Sequence, residues 1–142
     1  MAAGGVTDVA CFGDMTATGW QAKGIEGVVV DGAARDVAGL RALRFPAFAR
    51  AITPRNYHYP AGVEHGAVNV PVVCAGTLVE PGDIVVGDDD GVVVLPRRIA
   101  AEIVTAAMAF IENEKGFRAM LAEQYVSFGA IEQLKEQGYR LV

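Results

Sequence analysis

The residues with the most chemical promise lie between Gly13 and Asp36, in GDMTATGWQAKGIEGVVVDGAARD. Asp14 opens a segment that reads as a short helix, and the Arg35-Asp36 pair follows a run of valines that reads as a buried strand. A helix N-terminus offers unpaired N–H groups to a substrate anion, and residues just past the carboxyl end of a strand project into the crevice where open α/β sheets bind their ligands. Arg35 supplies a planar fork that fits a carboxylate. Asp36 supplies a hard oxygen for Mg²⁺ or Mn²⁺, ions commonly held by one or two carboxylates plus waters. Together they could hold an anionic substrate on a metal. The plainer alternative is that Asp36 caps the next helix and Arg35 is a surface cation.

Other polar clusters carry less. Asp88, Asp89, Asp90 and Gly91 lie between β-branched runs, where Asp-Gly is an ordinary hairpin signal, and they lack the alternating ligands and terminal Glu of a calcium loop. His58 and His65 share a Pro/Gly-punctuated stretch, 53–69, that reads as a long loop with Tyr57 and Tyr59, and nothing pairs them at metal-ligand spacing. Cys11 and Cys74 sit in apolar surroundings without C-x-x-C spacing, so buried free thiols are expected rather than a disulfide or a zinc site. Phe12 and Trp20 read as core.

The elements that must position these residues follow from a pattern that switches between two periods, which predicts an α/β fold. Residues 14–23 form a helix with Gly24 just past its end, and 25–30 a buried strand closed by a turn at Asp31-Gly32. Asp36 caps a helix that runs to Leu43 and stops before Phe45-Pro46, because proline disfavours helical geometry in the residue before it. Strands are expected at 48–52, 70–75, 84–86 and 92–95, the last three separated by Glu80-Pro81-Gly82-Asp83 and by the 87–91 acidic turn. Apolar residues from Ile99 to Leu121 recur near helical spacing, which predicts one long helix with a weak point at Gly116, and Ser127 caps a short terminal helix ending at Gly138.

Length and composition bound the rest. The 142 residues suit one domain. Apolar residues make up 52% and charged residues 20%, more grease than one small surface hides, so buried subunit contacts are expected. Twelve Lys and Arg against seventeen Asp and Glu give a net charge of −5, which supplies no basic footprint for nucleic acid. With no basic n-region and no apolar run of spanning length, the chain reads as a cytoplasmic protein with no membrane partner.

The GD-helix stretch, followed by GIEGVVVDGAARD and later by NVPVVCAGTLVEPGDIVVGDDDGVVVLP, resembles the class II pyruvate aldolase family, which includes 4-hydroxy-4-methyl-2-oxoglutarate aldolases and regulator of ribonuclease E activity proteins. The likeness runs over about 4–118, leaving 119–142 as a helical tail. It implies an α/β fold of the swivelling β/β/α type, a homotrimer or a hexamer of two trimers, and a divalent-metal-dependent cleavage of 2-oxo acids to pyruvate, with oxaloacetate decarboxylation through the same enolate. It also implies roles: Asp36 as the metal ligand, Arg35 on the pyruvate carboxyl and enolate oxygen, and Asp14 as an acid on a water of that metal. The backbone amides of Met15 and Thr16 would hold the substrate carboxylate. A glutamate from the neighbouring subunit's C-terminal region matches Glu114, with Glu112 close behind. Such a mechanism needs no Schiff-base lysine, and Lys23, Lys115 and Lys135 lie outside the chemistry-bearing positions of the motifs. Members of the family begin well before Gly13, so the chain is expected to be a truncated or partial version of the domain. Two other functions fit the resemblance: a noncatalytic, protein-binding trimer of the ribonuclease-regulator type, and an inactive partial domain.

Overall fold

The computed structural model describes residues 1–56, 66–123 and 135–138. The chain divides into two compact units, Met1–Ile99 and Ala100–Val142. The first opens with strand β1 (Ala2–Phe12), helix α1 (Asp14–Gln21), strand β2 (Val28–Ala34), helix α2 (Val37–Leu43) and strand β3 (Ala47–Ile52). The strands form a three-stranded parallel sheet in the order β1-β2-β3. Parallel strands covered by their crossover helices are buried along their length, and β2, with Val28, Val30 and every residue from Asp31 to Ala34 buried, is of this kind, its apolar run broken by Asp31.

The core is built where α1 and α2 meet this sheet: Phe12, Ala17, Val28, Val30, Leu40 and Phe45, with Trp20 and Leu43 packed against them. Ala17 is fully buried, and its small side chain lets α1 approach the sheet closely. The Phe12 ring lies 5.3 Å from Trp20 and 6.0 Å from Phe45 between centroids, so Phe12 is a core residue as expected, whereas Trp20 is half-buried at the edge of that core. Burying a ring such as Phe12 contributes roughly 1.5–3 kcal/mol.

Both helices stop where the sequence says they should. The Ile25 amide donates to the Trp20 carbonyl and the Gly24 amide to that of Gln21, a Schellman closure with Gly24 at φ 80°. The same closure ends α2, through Phe45 to Leu40 and Arg44 to Arg41, with Arg44 in the left-handed conformation usually left to glycine.

Three expectations need correction. Asp31-Gly32 is not a turn but the middle of β2. Asp31 is buried and pairs with Arg50 of β3, and a Cβ on Gly32 would stand 3.0 Å from that of Ala3, so the pair is spent on strand packing. The strand expected at 70–75 is the first half of a hairpin, β4 (Val72–Cys74) and β5 (Thr77–Val79), turned by Ala75 and Gly76 at φ 54° and 84°. The segment before Gly13, left without an element by the sequence, is β1; its register against β2 shifts repeatedly, with Gly4 and Gly5 at positive φ.

A second hairpin, β6 (Ile84–Asp88) and β7 (Gly91–Leu95), completes the first unit with a 3-10 turn at Arg97–Ile99. Gly87 of β6 lies on the Phe48 ring so closely that a Cβ would stand 2.6 Å from it. The Asp83 carboxylate accepts the amides of Glu80 and Arg97, which holds it below its ordinary pKa and ties the turn before β6 to the end of β7. Cys11 is half-buried, Cys74 is buried, and both are free thiols.

In the second unit α3 (Ala100–Glu123) runs unbroken through Gly116, with Met108 and Phe110 largely exposed. Among the described residues no helix is long and apolar enough to cross a membrane. The expected loop histidines His58 and His65, with Tyr57 and Tyr59, lie outside the described residues, as does most of the helix expected from Ser127.

Candidate functional site

The three parallel strands end level with one another: Phe12 stands opposite Ala34, and Ala34 opposite Ile52. The next residues therefore emerge side by side. The Arg35 amide donates to the Phe12 carbonyl at 2.9 Å and the Thr53 amide to the Ala34 carbonyl at 3.1 Å, which locks the three exits together. Gly13-Asp14, Arg35-Asp36 and Thr53-Pro54 thus share the carboxyl edge of the sheet, the place where parallel sheets bind ligands.

Two glycines draw the charged residues inward. Gly13 is buried, and a Cβ there would stand 2.5 Å from Asp36 Oδ2 and 3.0 Å from Arg35 Cγ. Gly39, in the first turns of α2, faces Asp14 so closely that a Cβ would stand 2.8 Å from that of Asp14. Asp14, Arg35 and Asp36 are brought together because neither glycine carries a side chain to keep them apart.

Asp36 sits at the N-cap of α2, as expected, but it does not cap. Its backbone is left-handed, with φ 59° and ψ 41°, and its side chain makes no hydrogen bond to the helix. The carboxylate instead accepts from Arg35 Nη1, both side chains being about one third exposed. A capping residue is normally extended, and a non-glycine residue held left-handed costs on the order of 1 kcal/mol. The strain places this carboxylate in the crevice rather than on its helix.

Helix α1 presents its N-terminus to the same edge. Ala17 is the first amide to find an acceptor in the helix, the Gly13 carbonyl at 3.1 Å, so the amides of Asp14, Met15 and Thr16 have no intrahelical partner. The Met15 and Thr16 side chains are exposed, and Thr18 Oγ1 donates to the Asp14 carbonyl at 2.9 Å. Beside Arg35 and Asp36 an open cleft of about 390 Å³ is walled by Val37, Ile52, Thr53 and Asn56. A larger hollow of about 580 Å³ lies at the opposite end of the strands, lined mainly by apolar residues such as Val28, Phe48, Val85 and Val94, with Glu26 and Met1 also in its wall.

Glu112 and Glu114 lie on α3, in the second unit, Glu112 paired with Lys115 at 2.8 Å. Among the described residues no three Asp, Glu, His or Cys side chains converge as a metal cage. An ion bound here would rest on few protein ligands, the mode in which Mg²⁺ keeps most of its waters. Sequence reasoning missed Gly39 and the Thr53 to Asn56 wall. The signal for Gly39 was its place inside a short helical pattern, where glycine weakens the helix and implies a packing reason.

The family model RraA-like, described as Aldolase/RraA, matches residues 1–94. An uncharacterized protein of Methanocaldococcus jannaschii is 41% identical over 114 residues, which cover 80% of this chain and 53% of that protein. A 4-hydroxy-4-methyl-2-oxoglutarate aldolase of Thermus thermophilus is 38% identical over 85 residues, 60% of this chain and 49% of the aldolase. Among solved structures, Streptomyces coelicolor RraAS2, described as an unusual member of the RNase ES inhibitor RraA family, superposes with a TM-score of 0.72 at 39% identity, covering 84% of this chain and 60% of that one. The chain spans about half the length of these curated relatives. On the matched sequence, the shared fold and the residues gathered at its strand ends, the chain belongs to the RraA-like family.

Proposed function

We propose that this chain carries the metal and pyruvyl site of a divalent-metal-dependent aldolase that cleaves 2-oxo acids of the 4-hydroxy-4-methyl-2-oxoglutarate type to pyruvate. The observation that supports it is the gathering of Asp14, Arg35 and Asp36 around Gly13 and Gly39 at the mouth of the sheet. Asp36 fits a hard cation such as Mg²⁺ or Mn²⁺, because its carboxylate is withheld from the helix it could cap. When bound, the ion supplies positive charge where the enolate develops.

The remaining work falls to the chain. The Arg35 fork and the amides of Met15 and Thr16 grip the pyruvyl carboxylate and orient it. Cleavage breaks the C3–C4 bond, its electron pair passing into the enolate of pyruvate while C4 becomes a carbonyl and its hydroxyl gives up a proton. Asp14, with Glu114 of a neighbouring subunit, orients the acceptor of that proton. Arg35 stabilises the enolate oxygen, which is then relieved by protonation at C3. Loss of carbon dioxide from oxaloacetate leaves the same enolate, so that reaction is a convenient assay. Pyruvate release from oxaloacetate with Mg²⁺ or Mn²⁺, abolished by EDTA, is the expected result; no pyruvate with either ion overturns the proposal.

The exposed Met108 and Phe110 support assembly as a homotrimer or hexamer, to be read by light scattering. The likeness to the Streptomyces RNase inhibitor relative favours a second reading, in which the same fold is a noncatalytic protein-binding trimer.

A further inference from the structure

The Arg35 fork and the amides of α1 take up one carboxylate and the atoms beside it. The cleft does not end there. It continues along the aliphatic side chains of Val37 and Ile52 to Thr53 and Asn56, an extent of about 390 Å³ that a three-carbon acid does not fill. Among the described residues of that lining Arg35 is the cation and Asp36 the anion, and the polar side chains further along, Thr53 and Asn56, are neutral, so a second anionic group there would be met by neutral donors.

The far wall is held in place from three sides. The Thr53 amide is fixed to the end of β2. The Thr53 hydroxyl accepts the Arg55 amide at 3.4 Å, and the Arg55 carbonyl accepts the Ala10 amide of β1 at 2.7 Å. Asn56 itself forms a β-bridge with Ala10. A residue on a pinned backbone at the wall of a cleft is prepared to select, because little ordering remains to be done when a ligand arrives. Its carboxamide carries two N–H donors, enough for a carboxylate.

We infer that Asn56 is a specificity-determining residue, reading a second carboxylate that lies beyond the bond to be broken, while Val37 and Ile52 accept an alkyl substituent beside it. The inference rests on the aldolase reading for which bond is broken, but the selectivity for two-carboxylate 2-oxo acids can be measured without any turnover.

The test is calorimetric titration of pyruvate and of 2-oxoglutarate into the full chain with Mn²⁺ present, for the unmodified protein, Asn56→Ala and Asn56→Asp. The unmodified protein should bind 2-oxoglutarate the more tightly. Asn56→Ala should lose about tenfold in affinity for 2-oxoglutarate and keep its affinity for pyruvate, as expected for one hydrogen bond to a charged group. Asn56→Asp, which sets carboxylate against carboxylate, should lose more. Unchanged selectivity in Asn56→Ala, an equal loss for both acids, or binding of neither acid by the unmodified protein overturns the inference. Selectivity that depends on Asn56 in a protein releasing no pyruvate leaves this inference standing and removes the aldolase reading. Pyruvate release without that selectivity does the reverse.

Discussion

Two acidic junctions in this chain look alike as sequence and differ in what their carboxylates touch. At the β6–β7 turn, Asp88 Oδ1 accepts the amides of Asp90 and Gly91 at 2.9 and 3.3 Å, so the side chain is spent on closing its own hairpin. At the β2–α2 junction, Asp36 leaves the amides of its own helix uncapped and turns to Arg35, beside a glycine with no room for a Cβ. An aspartate next to a turn is structural when nearby amides satisfy it, and a site candidate when the backbone is strained to keep it from them.

The largest effect that would sharpen this contrast is on turnover. Arg35→Lys keeps the charge and loses the fork, so pyruvate formation should fall by at least about a hundredfold with a much smaller change in KM. Near-normal turnover would reduce Arg35 to a point charge. Next comes Gly13→Ala, whose methyl group must displace Arg35 and Asp36; thermal unfolding should show a loss of roughly 1–3 kcal/mol together with weaker metal binding. Full retention of both would mean the crowding at Gly13 is easily relieved.

A smaller effect depends on pH and lies away from the site. The Arg50 guanidinium, then the Ala75 amide, hold the Asp31 carboxyl below its ordinary 3.8. Folded Asp31 binds its proton more weakly than unfolded Asp31, so its contribution is complete above the ordinary range and disappears as pH falls through the folded value. The Tm gap between the unmodified protein and Asp31→Asn should therefore be constant near neutrality and close below about pH 3.8. A gap independent of pH would refute the pairing. The smallest effect belongs to Asp88→Ala, which should cost of order 1 kcal/mol of stability and nothing in activity.

Much of this was legible in the sequence, and the failures have physical causes. Gly24, Phe45-Pro46 and the acidic turn before Gly91 act locally, through conformations only certain residues adopt, and the helices and the hairpin ended where those residues stand. Asp31-Gly32 has turn composition, but its partner Arg50 lies 19 residues away, and no local rule announces an ion pair across a sheet. The segment before Gly13 pairs so irregularly with β2 that it shows no two-residue alternation, and β4 and β5 are too short to separate by pattern alone. At the site, the residue types of Asp14, Arg35 and Asp36 were visible. Their convergence was not, since it depends on Gly13 and Gly39 facing side chains from other elements. The left-handed backbone of Asp36 was equally hidden, because aspartate before a helix ordinarily means a cap.

The central claim is that Asp36, and not Asp88, is the carboxylate available to a metal. Calorimetric titration of Mn²⁺ into Asp36→Ala and Asp88→Ala, beside the unmodified protein, tests it most directly. Binding should vanish in Asp36→Ala and persist unchanged in Asp88→Ala; equal affinities in the two variants would contradict the account.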